Sequence, residues 1–358
     1  MLRQLFLCLL LGSLAVSHAY SDGWNVDSLA RSIPNGVTRS PQDFAIYLNE
    51  RFLGETERVK ALFSWIVNSV VYDLNQIETA SRYESIDDFV LYTLKTKKAV
   101  CQGYAEVFTA ICNRMGMKAL TVHGYNRVDG RLNSDLGHAW NVVKIDGKWY
   151  LFDPTWGSGY LYNGRYRKSF STIYFMISPD SLIVSHMPFD PIWQLQDYPI
   201  THDQFIDGGE RGNTYYNFSD SLDLYYSMDE INRAESTLRR AGATHANRRE
   251  ILKMYRKYND YVINMKCNVE INRYNEASTT LTYAIDRFNE YQELRGKKNA
   301  DPRTIRLVLD ATGEMVQHAL RQVRDVSPCR SLSIQEIQRL INHIHDLEAA
   351  VSTGYRAL

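Results

Sequence analysis

The chain has 358 residues, of which 44% are apolar, so it is long enough and apolar enough for two domains with packed cores. Its 41 basic and 41 acidic residues give a formal net charge of zero, which provides no overall field to attract nucleic acid or an anionic membrane. This composition argues against a disordered chain and against a nucleic-acid-binding protein, and a binding partner has to be sought at a local site.

The first residues have the pattern of an export signal. Arg3 precedes an apolar run over residues 5–16, and Ser17-His18-Ala19 places small residues where a signal peptidase inspects the chain. We therefore predict a signal peptide over residues 1–19 and a secreted or extracytoplasmic location, which is the periplasm or cell surface in a bacterium. The run is shorter than the roughly 20 residues that cross a bilayer, so no stable membrane insertion is expected after cleavage.

Four cysteines lie beyond this segment: Cys101, Cys112, Cys267 and Cys329. They are too few for a disulfide-dense scaffold in a chain of this length. A bridge between Cys267 and Cys329 and unpaired burial of both are equally compatible with the sequence. Cys112 is predicted to be a buried core residue, because eleven helical residues place it about 16 Å along the axis from Cys101.

The segment before Cys101 reads as three helices. Apolar spacing and start signals predict helices over residues 40–52, 56–70 and 85–94, with a polar break at residues 95–98. A fourth helix begins at Cys101 itself, because apolar residues follow it at helical spacing until Gly116. The cysteine is thus placed at the N-terminus of a helix.

Strands follow this helix. Residues 118–125 are rich in β-branched and aromatic side chains, and residues 138–145 and 148–152 flank Asp146-Gly147, the strongest short-range signal for a two-residue hairpin. A further strand-like run covers residues 173–177. We therefore expect an antiparallel sheet after the helix that starts at Cys101.

The amino-acid composition of the chain changes near residue 207. Proline becomes rare, and residues 220–355 are predicted to form long helices with breaks at 241–243, 296–302 and 327–328. We place the domains at residues 20–204 and 205–358 and expect a helical bundle or coiled-coil-like second domain. Its role as a spacer, a self-association surface or a substrate-recruiting arm is left open.

The register of the hairpin brings two chemically important side chains together. If Ile145 pairs with Lys148, then Asp153 comes opposite Trp140, and His138 lies diagonal to Asp153 on the same face. Diagonal neighbours on paired strands are roughly 7–8 Å apart between the two backbones, a distance that an aspartate and a histidine side chain can span together. A slip of one residue would put the two on opposite faces.

Together with Cys101, this pair has the composition of a nucleophilic triad. The thiolate is the reactive form of cysteine, and both a helix N-terminus and an adjacent imidazolium stabilise it. His138 would supply the imidazolium, and Asp153 would orient the ring. Each residue taken alone has a plainer interpretation: a buried cysteine, a surface histidine, and an aspartate in a turn before proline.

An oxyanion needs hydrogen-bond donors, and the backbone N–H of Cys101 at the helix start is the first. The second donor is not assigned by the sequence. Gln102 and Trp140 are candidates because of their proximity, and Trp156 is a candidate for lining the substrate cleft.

The motifs around these residues resemble the transglutaminase-like superfamily, in particular its bacterial and kyphoscoliosis-peptidase-like branch. The resemblance covers residues 40–197, with flanking pieces at residues 64–73 and at 186–195. It implies an α+β, papain-like core with N-terminal helices, a cysteine at a helix N-terminus, and an antiparallel sheet that carries the histidine and aspartate, followed by an all-α domain. The matching segments are KAVCQGYA (residues 98–105), GY (124–125), GHAWNVV (137–143) and DGKWYLFDPTWG (146–157).

The resemblance implies that Cys101 is the nucleophile, His138 the general base and acid, and Asp153 the orienting residue. We predict a secreted cysteine enzyme that transfers acyl groups from amides through a thioester, and we favour a peptidase acting on protein or peptide substrates. A protein-glutamine transamidase and a non-catalytic peptide-binding module are the alternatives. No metal-binding or phosphate-binding motif is present, so no cofactor and no metal are expected. His186 is interpreted as structural.

Overall fold

The structure is a computed structural model that describes residues 23–74, 85–128, 130–208, 214–244 and 249–358. The predicted signal peptide lies outside these residues. The chain divides into two compact units, Met1–Tyr216 and Asn217–Leu358. Within the described part of the chain, we find no helix with the length and apolar character that a membrane crossing requires.

The first unit begins with helices that form where the sequence predicts them. Ser40 caps α2 by accepting the backbone N–H of Asp43, and Pro41 occupies its first position. Ser85 caps α4 in the same way through the N–H of Asp88. The helices before the site are α1 (Gly23–Arg31), α2 (Pro41–Arg51), α3 (Glu55–Ser69) and α4 (Ile86–Thr96).

Helix α5 (Cys101–Arg114) is the central helix of this unit. Its apolar stripe is fully buried, and Gly116 follows it at a φ of +91°, a conformation that ends the helix at little cost because glycine lacks a Cβ. The stripe packs against α3 and the sheet, and the resulting core includes Leu62, Phe63, Ile66, Tyr104, Phe108, Ile111 and Phe152.

A four-stranded antiparallel sheet packs on α5, with the strand order β5-β4-β3-β8. The predicted hairpin register is confirmed, because Ile145 pairs with Lys148 and Asn141 pairs with Phe152. The four strands are β3 (Ala119–Val128), β4 (Arg131–Ile145), β5 (Lys148–Phe152) and β8 (His186–Pro188).

Strand β8 approaches β3 closely at Gly124. A Cβ on this glycine would lie 2.1 Å from the carbonyl oxygen of Met187, far inside van der Waals contact. The absence of a side chain is therefore what lets Gly124 pair with Pro188 and Asn126 pair with His186. This contact brings His186 to the end of the sheet.

Short elements complete the unit. The two-residue strands β1 (Val71–Tyr72) and β2 (Lys98–Ala99) pair in parallel immediately before α5. The remaining elements are α6 (Pro154–Ser158), the hairpin β6 (Gly159–Tyr162) and β7 (Arg165–Lys168), α7 (Pro179–Leu182) and α8 (His202–Asp207).

The prediction of a strand at residues 173–177 is wrong. Only Ile177 makes a β-bridge, with Leu151, and Met176 has a φ of +52°, which a strand does not allow. The aromatic character of the run has another cause: the Phe175 ring packs edge-on against Phe63 and Phe152, at centroid distances of 5.5 and 5.3 Å. The Phe175 side chain therefore packs on the core through ring contacts rather than through a strand ladder, and Ile173 is exposed.

Helix α8 packs on the sheet of the first unit. The Tyr125 hydroxyl is hydrogen-bonded to Nδ1 of His202 at 2.9 Å, and the ring of Phe205 packs against Tyr125. Residues 202–207 therefore contact β3, and the first compact unit extends to Tyr216, whereas the sequence placed its boundary at residues 204 and 205.

The second unit is all helical. The break predicted at residues 241–243 comes slightly early, because α10 continues through Gly242 to Thr244 and α11 begins at Arg249. One glycine within a helix costs only about 1 kcal/mol relative to alanine. The breaks at residues 296–302 and 327–328 are confirmed. The helices are α9 (Phe218–Ser227), α10 (Glu230–Thr244), α11 (Arg249–Gly296), α12 (Pro302–Arg324) and α13 (Ile334–Arg356).

A disulfide links Cys267 on α11 to Cys329 in the connection between α12 and α13. The sequence had left this pairing open. The three helices share an apolar core with residues from each: Ala277, Leu281 and Ala284 from α11, Val316, Ala319 and Val323 from α12, and Ile337, Leu340, Ile344 and Leu347 from α13.

Candidate active site

Cys101 is the first residue of α5, and its side chain is half-buried. The helix starts from Val100, whose carbonyl accepts the N–H groups of Gly103 and Tyr104. The amide of Cys101 lies in the first turn, where N–H groups have no partner within the helix. The thiol and this amide therefore lie together at the positive end of a 14-residue helix.

His138 and Asp153 meet as the hairpin register predicts. Nε2 of His138 lies 2.7 Å from Oδ2 of Asp153, and both side chains are buried. Because Nε2 is occupied by the carboxylate, Nδ1 is the nitrogen left to face the thiol. The Cys101 thiol lies close enough to the His138 ring to contribute to the raised pKa of that ring. The structure thus brings the three predicted triad residues together.

The carboxylate of Asp153 is held from both sides. As the N-cap of α6, its Oδ1 accepts the backbone N–H groups of Thr155 at 2.8 Å and Trp156 at 3.0 Å. Its Oδ2 accepts from the two imidazoles of His138 and His186. Asp153 is therefore both the N-cap of α6 and the anchor of the site.

His186 is a site residue that the sequence analysis missed. Its Nε2 lies 3.0 Å from Oδ2 of Asp153, and its Nδ1 lies 2.8 Å from Oγ of Ser185. A neutral ring that donates from Nε2 and accepts at Nδ1 satisfies both contacts. The pairing of β3 with β8 brings His186 to the site, but it joins segments far apart in the sequence and produces no local sequence pattern. The flanking motif at residues 186–188 is the one sequence feature that indicates it.

The two histidines differ in charge. Burial alone would lower the pKa of His138, but the negative charge of Asp153 and the hydrogen bond to it raise that pKa to about 10. Burial lowers the pKa of His186 and outweighs its hydrogen bond to Asp153. Although burial opposes it, the pKa of Asp153 is held well below its usual range by His138 and His186. At neutral pH the cluster is an imidazolium, a carboxylate and a neutral imidazole.

The two tryptophans enclose these imidazoles. The Trp140 ring stacks on His138 at a centroid distance of 5.8 Å, and its buried indole N–H is inaccessible to a substrate. The half-buried Trp156 ring packs edge-on against His186 at 4.4 Å. Gln102 is half-buried beside Cys101. Of the two candidates for the second oxyanion donor, Gln102 alone retains an accessible side chain.

Tyr72 is a second site residue that the sequence analysis missed. Pairing of β1 with β2 places Tyr72 beside Ala99, two residues before Cys101. Its hydroxyl lies close to the backbone N–H of Cys101, the amide predicted to bind an oxyanion.

Asn141 ties the sheet to the helix. Its Nδ2 donates to the carbonyl of Ala105 at 2.8 Å and to Oγ1 of Thr109 at 2.9 Å, and the residue is fully buried. Since Asn141 and His138 lie on one strand and Ala105 follows Cys101 on α5, this contact fixes the histidine and the cysteine relative to each other.

Glu106 is a buried carboxyl on α5 that the triad does not use. Burial raises its pKa from 4.5 to about 7, and a hydrogen bond with Thr121 partly opposes the rise. A raised pKa in the folded state means that its contribution to stability is full below pH 4.5 and is lost as the pH rises through 7.

We expect Glu106→Gln to become more stable than the wild-type protein as the pH rises. The difference in the free energy of unfolding should be constant below about pH 4.5 and grow by about 3 kcal/mol by pH 8, because the amide carries no charge to desolvate. Urea unfolding at pH 4, 6 and 8 measures this difference. A difference that does not change with pH would show that Glu106 ionises freely in the folded protein.

His138, Asp153 and His186 are also the one group of three metal-ligating side chains among the described residues, with ligand atoms within 4.8 Å of one another. Two nitrogens and an oxygen suit Zn²⁺ or Fe²⁺ in kind. The distance of 2.7 Å between Nε2 and Oδ2, however, is a hydrogen-bond length. Two ligands of one ion, each about 2.1 Å from the metal and at right angles or wider, lie about 3 Å apart or more. The contacts therefore fit a proton-sharing cluster better than a metal site.

Comparison with known proteins agrees with this geometry. Residues 43–154 match the family model of the transglutaminase-like superfamily. The similarity to that superfamily covers the part of the chain that holds the site. The match spans the cysteine, the histidine and the aspartate of the site.

Among curated proteins, the chain is similar to kyphoscoliosis peptidase of Homo sapiens and of Mus musculus. Each is 31% identical over 170 residues, which is 46% of this chain and 25% of the relative. The chain thus aligns with a quarter of the length of these relatives. Among solved structures, a TGase is 22% identical, with a TM-score of 0.25 over 45% of this chain and 40% of that chain.

Proposed function

We propose that this protein is a cysteine-dependent amide acyl-transfer enzyme, and specifically a peptidase, with Cys101 as the nucleophile. The observation that carries the proposal is the 2.7 Å hydrogen bond between buried His138 and Asp153 beside a cysteine at a helix N-terminus. A nucleophile, a base and an orienting group within mutual reach is the arrangement that covalent acyl transfer requires.

The reaction begins with the proton already on His138. The Cys101 thiolate attacks the carbonyl carbon of an amide, a C–S bond forms, and the carbonyl electrons move onto oxygen. When the oxyanion collapses, the C–N bond breaks and the imidazolium gives its proton to the departing amine. Water, deprotonated by the now neutral His138, then cleaves the thioester and restores the starting state.

Asp153 supports both half-reactions without taking the proton. Its two backbone hydrogen bonds and its contact with His186 fix the carboxylate, and the carboxylate in turn fixes the His138 ring. The enclosing Trp140 and Trp156 rings shield the ion pair from water, which strengthens the attraction between its charges.

Hydrolysis is favoured over transamidation by the similarity to kyphoscoliosis peptidase over residues that include the site. Protein or peptide segments are the proposed substrates. We also propose that the protein acts in an oxidising, extracytoplasmic compartment, which the disulfide between Cys267 and Cys329 supports, since such bonds persist there.

The acyl acceptor can be tested without knowledge of the natural substrate. p-Nitrophenyl acetate should acetylate Cys101 in the wild-type protein and leave Cys101→Ala unlabelled, as read by the mass of the peptide that contains residue 101. Loss of the acetyl group is then followed with and without an added primary amine. A peptidase releases acetate at a rate that the amine does not change.

Two outcomes would overturn the proposal. An amine that accelerates loss of the acetyl group and appears as its N-acetyl product would identify a transamidase. A wild-type protein in which Cys101 is not acetylated faster than cysteine in an unfolded peptide would identify a non-catalytic binding module.

A further inference from the structure

The Tyr72 side chain lies at the entrance to helix α5. Parallel pairing of β1 with β2 is fixed by two backbone hydrogen bonds, from Val71 N–H to the Lys97 carbonyl at 2.9 Å and from Asp73 N–H to the Ala99 carbonyl at 3.0 Å. Because Tyr72 is the residue between the two donors, its position beside Ala99 is determined by the backbone.

Two aromatic neighbours hold the Tyr72 ring. The ring centroid lies 6.4 Å from that of Tyr104, one turn along α5, and 6.1 Å from that of Tyr166 on β7. Both neighbours are themselves anchored, since the Tyr104 hydroxyl donates to the Val70 carbonyl at 2.8 Å and the Tyr166 hydroxyl donates to the Ser158 carbonyl at 2.7 Å. The Tyr72 hydroxyl is therefore presented by a rigid support.

This hydroxyl meets the functional groups of the site. It lies beside the backbone N–H of Cys101, close enough to the Cys101 thiol and to Asp153 to interact electrostatically with both. The first oxyanion donor of the proposed reaction is that same N–H. The Tyr72 hydroxyl therefore lies next to the place where a substrate carbonyl oxygen has to arrive.

We propose that Tyr72 is a catalytic residue whose hydroxyl is the second donor of the oxyanion hole. The inference rests on the proposed acyl transfer at Cys101. When the carbonyl oxygen of the substrate accepts the Cys101 N–H, the Tyr72 hydroxyl donates to the same oxygen from beside it. Rotation about its C–O bond turns the hydroxyl hydrogen toward that oxygen.

The electron movement of the step is unchanged by this donor. As the C–S bond forms, the carbonyl electron pair becomes the oxyanion, which accepts hydrogen bonds from the Cys101 N–H and the Tyr72 O–H. No proton is transferred from the tyrosine, and both bonds weaken again when the C–N bond breaks. Tyr72 thus stabilises charge that exists only in the transition state and intermediate.

The protonation state of Tyr72 suits this role. Burial raises the pKa of Tyr72 above its usual range, and the charges of Cys101 and Asp153 raise it further, against the lowering effect of the Cys101 N–H. The hydroxyl therefore keeps its proton throughout the physiological pH range.

Tyr72→Phe removes the donor and keeps the ring. Two reagents separate its effects, because p-nitrophenyl acetate forms an oxyanion when it acetylates Cys101, whereas iodoacetamide alkylates the thiolate by direct displacement and forms none. We expect acetylation of Cys101 to slow by about 10²-fold, the usual cost of one oxyanion donor. Alkylation should stay within about twofold of the wild-type rate, which also shows that the site is folded.

Tyr198→Phe is the control, because it makes the same chemical change at an exposed tyrosine of the first unit that is outside the site contacts described above. Both rates should remain close to the wild-type values in this variant.

Three results with Tyr72→Phe would overturn the inference: acetylation at the wild-type rate, acetylation that becomes faster because a blocking hydroxyl is gone, or an equal loss of both rates. If neither reagent reacts rapidly with wild-type Cys101, the proposed function fails, and the assignment of Tyr72 fails with it.

Discussion

Asp153→Asn is expected to lower the rate of Cys101 acetylation by p-nitrophenyl acetate on the order of 10³- to 10⁴-fold at pH 7. The carboxylate is the group that holds His138 as an imidazolium, because its charge and hydrogen bond raise the pKa of that ring to about 10. An asparagine keeps the shape but brings an NH₂ group and one oxygen to two imidazoles that both require an acceptor.

The same variant should also be less stable at neutral pH. The pKa of Asp153 is held far below its usual range by the two histidines, so its stabilising effect is present above the unfolded-state value of about 4 and is lost as the pH falls below it. Urea unfolding should therefore show a difference between wild type and Asp153→Asn that shrinks toward acidic pH.

Asp146→Asn serves as the control for both measurements. It makes the same chemical change on the same hairpin, at an exposed residue in the turn, and a φ of +47° is a conformation that asparagine tolerates. It should leave the acetylation rate and the pH dependence of stability unchanged. Wild-type kinetics in Asp153→Asn would contradict the role given to the carboxylate.

His138→Ala is expected to slow acetylation of Cys101 on the order of 10³-fold at pH 6 to 7, where the wild-type imidazolium stabilises the thiolate. The difference should narrow as the pH rises. Without the imidazolium, the thiol of the variant ionises unaided and gains reactivity toward about pH 8.5, while the wild-type ring begins to lose its proton only near pH 10.

The matched control is His123→Ala, which removes an exposed imidazole from the neighbouring strand, where residue 123 pairs with Ala139. Its rate profile should follow that of the wild type at every pH. A rate ratio between wild type and His138→Ala that is independent of pH would contradict an ion pair, since such a ratio would reflect a steric effect of the ring alone.

Much of the site is predictable because it depends on local rules. Asp146-Gly147 fixes the turn, and the two-residue period of strands then places His138 and Asp153 on one face without any knowledge of the rest of the fold. Helix starts at Ser40 and Ser85 follow from capping chemistry, and apolar spacing after Cys101 identifies a helix that begins at the cysteine.

The two missed residues come from non-local pairings between elements too short to show a pattern. β1 and β2 have two residues each, so no alternation distinguishes them from a loop, and Tyr72 joins the site only through them. Strand β8 has three residues, and His186 reaches Asp153 because Gly124 allows that strand to approach. A pairing over 60 residues of sequence separation leaves no periodic signal in either partner.

One wrong strand and one displaced helix break have related causes. Residues 173–177 have strand-like composition because Phe175 packs against other aromatic rings, and composition does not distinguish that packing from pairing in a sheet. The break predicted at residues 241–243 comes slightly early, because the packing of a 15-residue helix offsets the cost of one glycine.

The most direct test of the account is the rate of Cys101 alkylation by iodoacetamide as a function of pH in the wild-type protein, with His138→Ala as the comparison. Labelling is read by mass at residue 101. Cys112, the other free cysteine of the described chain, is buried, so it should not react while the protein is folded. An ion pair predicts rapid wild-type labelling at and below neutral pH, and slow labelling of the variant that increases with pH. Coincident curves for the two proteins, both climbing through about pH 8.5 like an unassisted thiol, would contradict an activated nucleophile at Cys101.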